Sequence, residues 1–399
     1  MLKKDFPIYQ KQNELVYLDS SATTLKPQCV IDAVNDYYIN YSSNSHRGIY
    51  DLAERTTEKV EEVRIKVAEF LNAKPEEIAF VSGATMGLNM LYYGYLKNAP
   101  KNSKVVVLES EHNSNLLPLM KWCKEFSLQL EIVKLENSVE EIEENLIAFL
   151  DNQTVLLALN FDSNVMPLNL NFDRIIKVAK GLNIKVFLDA CQTLAHKQLD
   201  VKKLKIDALT FSAHKLYGPT GIGALYIAEE LISFMNPLIV GGGVVEDVSE
   251  SEVKYFSGIK KFESGTLNMA GIFGMGACID YLLKIGYKSI VKHEQSLMSF
   301  LKSEFEKLEF IETYPKNPID SSLISFNVTG VHPHDAAMIL NEDNVCVRAS
   351  QHCTHLLHKR LQINASLRVS FGVYNLKSDV EKLIDSLKKV NKYFNSIDG

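Results

Sequence analysis

The sequence predicts an α/β fold: a large domain on a mainly parallel seven-stranded sheet, then a smaller α+β domain at the C-terminal end. Between residues 78 and 227, short apolar or β-branched runs alternate with segments of helical period. The runs are "IAFVSG", "KVVVLES", "LQLEIVKLE", "TVLLALNFD", "KVFLDA", "ALTFSAH" and "GALYI". Strands that alternate with helices are typical of a parallel sheet covered on both faces. The 399 residues, 46% of them hydrophobic, are also enough for two domains.

The segments on either side of these runs complete the predicted order of elements. Upstream, apolar residues recur at helical spacing from 52 to 71 and predict a long amphipathic helix. Downstream, "IVKHEQSLMSFLKSEFEKL" predicts a second long helix, "SSLISFNV" and "NVCVRAS" predict strands, and residues 378–394 predict a final helix. We therefore expect an N-terminal arm and large domain over 1–285, and a small domain over 286–399.

Composition and charge argue against several classes of protein. The net charge of −6 comes from 43 basic and 49 acidic residues without a long run of one sign, which opposes a nucleic-acid or anionic-membrane surface. No apolar run approaches a membrane span, and the start "MLKKDFPIYQKQNELVYLD" lacks the apolar core of a signal peptide. The six cysteines lie far apart without a CxxC pair. We expect a cytoplasmic protein with reduced thiols and without a metal site.

Polar residues follow the predicted strands where a ligand is expected. In an open α/β sheet, ligands lie beyond the carboxyl ends of the strands. Residues 82–85, His112, Asn164, Asp189 and Lys215 lie at or near such ends. Lys215, in "FSAHKLYGP", is either a solvated turn residue or a covalent group, because lysine chemistry with a carbonyl needs a neutral amine in a preorganised pocket.

One cofactor that uses such a lysine is pyridoxal phosphate (PLP), and the sequence offers its other requirements. Asp189 can keep the pyridine nitrogen protonated, and His112 can cover the ring. The amide of Ala84 and the hydroxyl of Thr85 stand where a helix begins, which suits a phosphate. Arg368 offers a planar fork for a substrate carboxylate. Taken singly, each of these residues also suits a helix cap, a loop or an ion pair.

Several long segments carry a resemblance that runs nearly end to end. They are "YLDSSATTLKP", "NSHRGIYDLAERTTEKVEEVR", "EHNSNLLP", "VFLDACQTLAHKQLDV", "FSAHKLYGPTGIGALY", "FESGTLNMAGI" and "VRASQHC". On these, the chain resembles the class V PLP-dependent aminotransferase family, in its cysteine desulfurase and selenocysteine lyase group of the SufS-like type. The resemblance implies the PLP-dependent transferase fold of type I and PLP as cofactor.

The resemblance also implies a role for each candidate residue. The implied cofactor contacts are Lys215 (Schiff base), Asp189 (pyridine nitrogen), Gln192 (ring oxygen), His112 (ring face) and Ala84, Thr85, Ser212 and His214 (phosphate). Thr266 matches a threonine that reaches the phosphate of a neighbouring subunit, which implies a homodimer. The implied substrate contacts are Asn164, Arg368, Arg348 and His352, and the implied catalytic groups are Lys215, His112 and Cys353.

Cys353 decides the implied reaction. It ends a segment, Arg348 to Cys353, that is similar to the family's R-T-G-H-H-C loop. A thiolate there would take the sulfur of L-cysteine, leaving L-alanine, and pass it as a persulfide to a protein acceptor for iron–sulfur cluster assembly or related sulfur delivery; L-selenocysteine is the other substrate that the resemblance allows. Because an ordinary thiol is only a few per cent ionised at neutral pH, we expect support from His352, Arg348 or the approaching substrate.

Some positions depart from the family pattern and leave alternatives open. The departures are Met86, Pro167, Ala213, Leu267 and Ala349-Ser350-Gln351. They put the turnover rate, the preference for selenium and the acceptor in question. The alternatives are a selenocysteine lyase or cysteine sulfinate desulfinase, another class V reaction that does not need Cys353, and a non-catalytic PLP-fold protein that binds a partner.

Overall fold

A computed structural model describes residues 2–45, 48–316 and 321–395. Its strands are β1 (Val16–Tyr17), β2 (Ile78–Val81), β3 (Lys104–Leu108), β4 (Gln129–Val133), β5 (Thr154–Asn160), β6 (Lys185–Asp189), β7 (Ala208–Ser212), β8 (Gly223–Ile227), β9 (Val245–Val248), β10 (Val253–Tyr255), β11 (Ile311–Tyr314), β12 (Leu323–Val328), β13 (Val345–Cys346), β14 (Arg348–Ser350) and β15 (Ser366–Ser370).

Its α-helices are α1 (Ile8–Lys11), α2 (Gln28–Asp36), α3 (Asp51–Leu71), α4 (Ala84–Leu96), α5 (Asn113–Glu125), α6 (Val139–Ala148), α7 (Phe172–Gly181), α8 (Val201–Leu204), α9 (Glu229–Ile232), α10 (Met269–Ile285), α11 (Tyr287–Phe305), α12 (Pro333–Glu342), α13 (His355–Arg360) and α14 (Lys377–Asn395). No single helix among the described residues is long and apolar enough to cross a membrane; α10 and α11 meet that criterion only together, as a bent pair.

The chain packs into two compact units. The sheet unit consists of Cys29–Phe161 and Leu170–Leu282, and the terminal unit consists of Met1–Gln28, Asp162–Asn169 and Leu283–Gly399. This division differs from the expected domains, since it places the first 28 residues and a short loop with the C-terminal segment.

The sheet unit contains the predicted sheet of seven strands, in the order β2-β8-β7-β6-β5-β3-β4. Only β8 runs against its neighbours; the other described pairs of this sheet are parallel. The central strands are buried on both faces, which explains their continuous apolar runs. Because six strands point the same way, the residues that follow β2, β3, β6 and β7 meet at one edge.

The helices of the sheet unit begin and end for local reasons. Helix α3 buries Val60, Val63, Val67 and Phe70 at helical spacing, and it ends at Asn72, whose backbone is left-handed. Helix α4 begins after Gly83, whose φ of 148° is strained for any residue with a side chain. The loop that opens α4 therefore depends on a glycine.

The terminal unit contains a four-stranded antiparallel sheet in the order β11-β12-β15-β14. Its core joins apolar residues of α11, α12, α14 and the sheet, among them Met298, Phe326 and Leu383. The N-terminal segment adds to this core: β1 pairs in parallel with β13, and the buried Leu18 accepts a hydrogen bond from the Ser370 amide at 2.8 Å. A two-residue strand has too few residues to show a period, so the sequence did not predict this pairing.

Candidate active site

The start of α4 lies in a tight turn at the edge of the large sheet. The Ala84 amide donates to Ser212 Oγ at 2.8 Å, which ties this turn to the buried end of β7. A Cβ atom on Gly83 would lie 3.1 Å from Ser212 Oγ, so the chain passes close to that hydroxyl. The first amides of a helix have no intrahelical partner and carry the positive end of its dipole. The turn therefore suits a phosphate, although in this structure the Ala84 amide, one of the predicted phosphate ligands, donates to Ser212 Oγ.

His112 and Thr85 are linked through a residue that the sequence analysis missed. Ser114 Oγ lies 2.8 Å from Thr85 Oγ1, and the Ser114 amide donates to His112 Nδ1 at 3.0 Å. His112 is the N-cap of α5, so its ring is fixed at the end of β3. Since Nδ1 accepts this bond, a neutral ring carries its proton on Nε2. No pattern in the sequence separates Ser114 from an ordinary helix-start serine.

Asp189 and Lys215 lie at the ends of neighbouring parallel strands. Asp189 is buried at the end of β6, where its Oδ1 accepts from the Cys191 amide at 2.9 Å. Burial raises the pKa of the Cys191 thiol to about 12, with Asp189 acting in the same direction and Lys215 against it. The charges of Asp189 and Lys215 therefore both act on the buried Cys191 thiol. This thiol stays protonated, as suits a structural residue. Gln192 is buried in the turn just beyond.

Lys215 projects from a single tight turn after β7. The turn, Ala213–Lys215, is 3-10 helical, and Lys215 and His214 are half-buried in it. The Ala213 amide donates to the Ile222 carbonyl at 3.0 Å, and the Ala213 carbonyl accepts from the Gly218 amide at 2.9 Å. These backbone bonds fix the base of the lysine at the sheet edge.

A buried carboxyl group beneath His112 was not predicted. Glu111 Oε1 accepts from the Asn160 amide at 2.9 Å, and Oε2 accepts from Asn115 Nδ2 at 2.6 Å. The Asn115 side-chain oxygen in turn accepts from the Tyr92 hydroxyl. Burial raises the pKa of Glu111 to about 8. This network holds the loop of His112 against the end of β5.

The edge fits PLP. It combines a helix start and hydroxyls for a phosphate, a buried acid on β6 and an amine on β7, which are groups that this cofactor needs. Two buried side-chain atoms lie at this edge in sequence, Asn160 Nδ2 at the end of β5 and Thr193 Oγ1 shortly after β6. Neither has a hydrogen-bond partner among the described residues. Buried polar groups are normally paired, so these atoms are consistent with a polar ligand at the edge.

Thr266 occupies an exposed loop of the sheet unit, after Gly265 with φ of 83°. The loop is anchored by Glu263, which pairs with the buried Arg64 guanidinium at 2.7 and 3.0 Å and accepts from the Phe80 amide at 2.7 Å. Thr266 is therefore exposed at the surface of this unit, in a loop that the Arg64–Glu263 ion pair holds in place.

In the terminal unit, the structure brings Arg368 and Asn164 together as predicted. The Arg368 guanidinium is buried; its Nη1 donates to the Asn164 carbonyl and its Nη2 to Asp19 Oδ1, both at 3.0 Å. Asn164 Nδ2 donates to the His352 carbonyl at 2.7 Å. Within the described residues, Arg368 Nε and Asn164 Oδ1 are buried without a partner. Sequence analysis missed Asp19, although it lies within the matched segment "YLDSSATTLKP".

His352 does not supply the positive charge considered for it. Burial, reinforced by Arg368, lowers the pKa of His352 to about 2, so the ring is neutral at pH 7. Its Nε2 lies 3.0 Å from the Ser366 carbonyl, and its Nδ1 lies 3.2 Å from Ser350 Oγ. Of the three expected sources of support for a Cys353 thiolate, Arg348 and the substrate remain. His352 contributes its backbone carbonyl to Asn164 instead.

Cys353 presents an exposed thiol from a strained turn. His352 and Cys353 have φ of 47° and 57°, so two consecutive residues other than glycine are left-handed. Such residues cost of order 1 kcal/mol each and are common at functional sites. The Thr354 amide closes the turn on the Gln351 carbonyl at 2.9 Å. The thiol is therefore held outward between β14 and α13.

Comparisons with known proteins bear on the family and the fold of this chain. The profile of the family described as "Aminotransferase class-V" matches residues 16–383. A probable cysteine desulfurase of Pyrococcus abyssi is 37% identical over 99% of this chain and 98% of its own. The crystal structure of the cysteine desulfurase CsdA of Escherichia coli, as the S-sulfonic acid, superimposes with a TM-score of 0.91 at 32% identity, covering 98% of each chain. The apo structure of a cysteine desulfurase of Thermococcus onnurineus NA1 gives a TM-score of 0.90 at 35% identity, covering 98% of this chain and 97% of that one.

Proposed function

The chain belongs to the class V aminotransferase family as a cysteine desulfurase, and from this premise we propose that Lys215 and Cys353 divide the reaction between them. Lys215 acts on the Cα atom of the substrate, and Cys353 accepts its sulfur atom. The observation that carries the proposal is the pairing of two features: Lys215 and the buried Asp189 at the ends of neighbouring strands of the sheet edge, and the exposed Cys353 thiol just after β14, the strand that pairs with the Arg368 strand β15.

The sheet unit holds PLP. The start of α4, with Thr85 and Ser212, would bind its phosphate, Asp189 would keep its pyridine nitrogen protonated, and His112 would cover its ring. When bound, PLP withdraws electrons from the substrate Cα, which makes the Cα proton acidic and the Cβ–sulfur bond labile. Lys215 Nζ would hold the cofactor covalently and, as a free amine, would accept the Cα proton of the substrate.

The terminal unit holds the substrate. Arg368 binds the carboxylate of L-cysteine, with the side chain of Asn164 beside it. The guanidinium is planar and permanently charged, so it suits a carboxylate better than a lysine does. Among the residues that the structure describes, Arg368 Nε is a buried donor without a partner, which suits a carboxylate, and Asn164 Oδ1 is a buried acceptor without a partner, which suits a donor group of the substrate such as its amine.

Cys353 accepts the sulfur. Its thiolate attacks the sulfur of the bound substrate, so that a sulfur–sulfur bond forms while the Cβ–sulfur bond breaks and its electron pair stays with Cβ. The carbon skeleton takes up protons at Cβ and Cα and leaves as L-alanine, and the enzyme keeps a persulfide. A protein thiol then accepts the outer sulfur for iron–sulfur cluster assembly or related delivery.

Two exposed cysteines provide a matched test of this role. Cys353→Ala and Cys29→Ala each remove an exposed thiol. We expect Cys353→Ala to keep the visible absorbance of lysine-bound PLP and to lose at least about a hundredfold in alanine formation from L-cysteine, since no nucleophile takes the sulfur. Cys29→Ala should match the parent. Full turnover by Cys353→Ala would refute the assignment, and Lys215→Ala should lose the absorbance band.

The exposed position of Thr266 supports a homodimer with shared cofactor sites. If its hydroxyl reaches the phosphate of a second copy, then the protein is dimeric by size-exclusion chromatography with light scattering, and Thr266→Ala binds PLP more weakly without losing its secondary structure. A monomer that retains PLP fully would contradict this part of the proposal.

A further inference from the structure

Two helices of the sheet unit begin side by side at the edge of the large sheet. Helix α4 follows Gly83 and helix α5 follows its N-cap His112, so Thr85 and Ser114 are each the second residue of a helix of 13 residues. Ser114 Oγ lies 2.8 Å from Thr85 Oγ1, and this contact joins the two helix starts. The positive ends of two helix dipoles therefore meet at one pair of hydroxyl groups.

Contacts further along α4 and α5 keep the two helix starts together. The Tyr92 hydroxyl of α4 donates to Asn115 Oδ1 of α5. The rings of Tyr93 on α4 and Trp122 on α5 pack edge to face, with their centroids 5.2 Å apart. Because the helices are joined by both polar and aromatic contacts, the hydroxyl pair at their starts is held in one arrangement.

The hydroxyl pair has one unused hydrogen-bond donor. Two O–H groups that share a single hydrogen bond use one proton between them, so the other proton can be donated to a third group. Within the described parts of the chain, neither Thr85 Oγ1 nor Ser114 Oγ has a second hydrogen-bond partner. Hydrogen bonds in a chain polarise one another, which strengthens the remaining donor. The pair therefore suits a phosphate, a charged acceptor, better than a single hydroxyl does.

Ser114 also contacts the histidine that is predicted to cover the cofactor ring, since its amide donates to His112 Nδ1 at 3.0 Å. We propose that Ser114 is a positioning residue for PLP: its hydroxyl orients the Thr85 hydroxyl for the phosphate, while its amide holds the His112 ring. This role rests on the proposed function, in which Thr85 binds the phosphate of PLP. The Ser114 hydroxyl then matters for the phosphate of the cofactor and not for its ring.

The test compares the cofactor with and without its phosphate. Apoprotein is titrated with PLP and with pyridoxal, which has the same ring but no phosphate, and binding is followed by the fluorescence of Trp122, the one tryptophan. In Ser114→Ala, which keeps the amide bond to His112, we expect the Kd for PLP to rise about fivefold, the effect of losing one hydrogen bond, and the Kd for pyridoxal to stay unchanged. Ser114→Thr keeps a hydroxyl and should bind PLP within about twofold of the parent.

The sheet unit offers a matched control at Ser43, whose Oγ lies 2.7 Å from the Thr56 hydroxyl in a serine–threonine pair outside α4 and α5. Ser43→Ala should bind PLP as the parent does. An unchanged Kd for PLP in Ser114→Ala, or an equal rise in Ser43→Ala, overturns the inference. An equal rise for pyridoxal in Ser114→Ala also overturns it, because a merely structural role weakens the binding of both ligands together.

Thr85→Val separates these outcomes from a failure of the proposed function. Since a hydroxyl bonded to a charged phosphate is lost, this variant should raise the Kd for PLP at least about tenfold. Adding Ser114→Ala to it should cause little further loss, because Ser114 acts through Thr85; a further loss of about fivefold would overturn the positioning role. If Thr85→Val itself binds PLP as tightly as the parent, the proposed phosphate site is wrong.

Discussion

The buried ion pair between Arg64 and Glu263 makes a quantitative prediction. The two side chains are 3% and 7% exposed, and Arg64 also donates to the Ile78 carbonyl at 2.7 Å. Removing one partner of such a pair costs about 3–5 kcal/mol, because the other charge is left buried. In Glu263→Gln, Glu61 remains at 2.9 Å from Arg64 Nε and is 35% exposed, so it compensates in part. We therefore expect Glu263→Gln to lower the free energy of unfolding by about 3 kcal/mol, the lower end of that range.

Urea unfolding followed by the fluorescence of Trp122 measures this loss, since the chain has one tryptophan and it lies on α5 in the sheet unit. The control is Asp280→Asn, which removes the partner of Lys66; these side chains are 60% and 32% exposed, and the expected cost is below about 1 kcal/mol. The double variant Arg64→Met, Glu263→Gln should be less destabilised than Glu263→Gln alone. A cost for Glu263→Gln as small as that of Asp280→Asn would refute the reasoning.

Three further predictions concern the sheet edge and the cysteine loop. Because the pKa of Glu111 is raised from 4.5 to about 8, the folded state binds a proton that the unfolded state releases, so its stabilising contribution declines as pH rises from about 4.5 to about 8. Glu111→Gln should flatten that decline in urea midpoints measured at several pH values; an unchanged slope would contradict it. Gly83→Ala should weaken PLP binding at least about tenfold in equilibrium titration, since the backbone has φ of 148° and the added Cβ lies 3.1 Å from Ser212 Oγ; tight binding would show that the turn adapts. The His352 ring, whose pKa is lowered to about 2, should remain neutral down to about pH 4 in an NMR titration, and ionisation above pH 5 would exclude its burial as described.

The sheet edge was predictable because its residues follow periodic strands. Each apolar run that ends in a polar group marks a carboxyl end, and parallel strands bring these ends together, so Asp189 and Lys215 could be placed on one edge before the structure was known. The sequence also showed that Cys353 belongs to a matched loop. These residues lie at the positions that the local sequence pattern predicts for them.

Other contacts depend on tertiary packing that no local pattern reports. Asp19 meets Arg368 across 349 residues of sequence, and Glu111 meets Asn160 across 49. The sequence suggests that His352 is a cation that supports the Cys353 thiolate, but burial lowers the pKa of His352 and keeps its ring neutral. In each case the side chain is ordinary by type, and its role depends on which distant group it contacts and how far water is excluded.

The pairing of the first residues with the last sheet has a consequence for biosynthesis. Asp19 leaves the ribosome long before Arg368 is made, whereas residues 84 to 215, which supply most of the predicted PLP contacts, emerge earlier as a contiguous stretch. The proposed substrate site is therefore completed only after Arg368 has been synthesised. A growing chain can therefore form the sheet edge proposed to hold the cofactor before the arginine site proposed for the substrate exists.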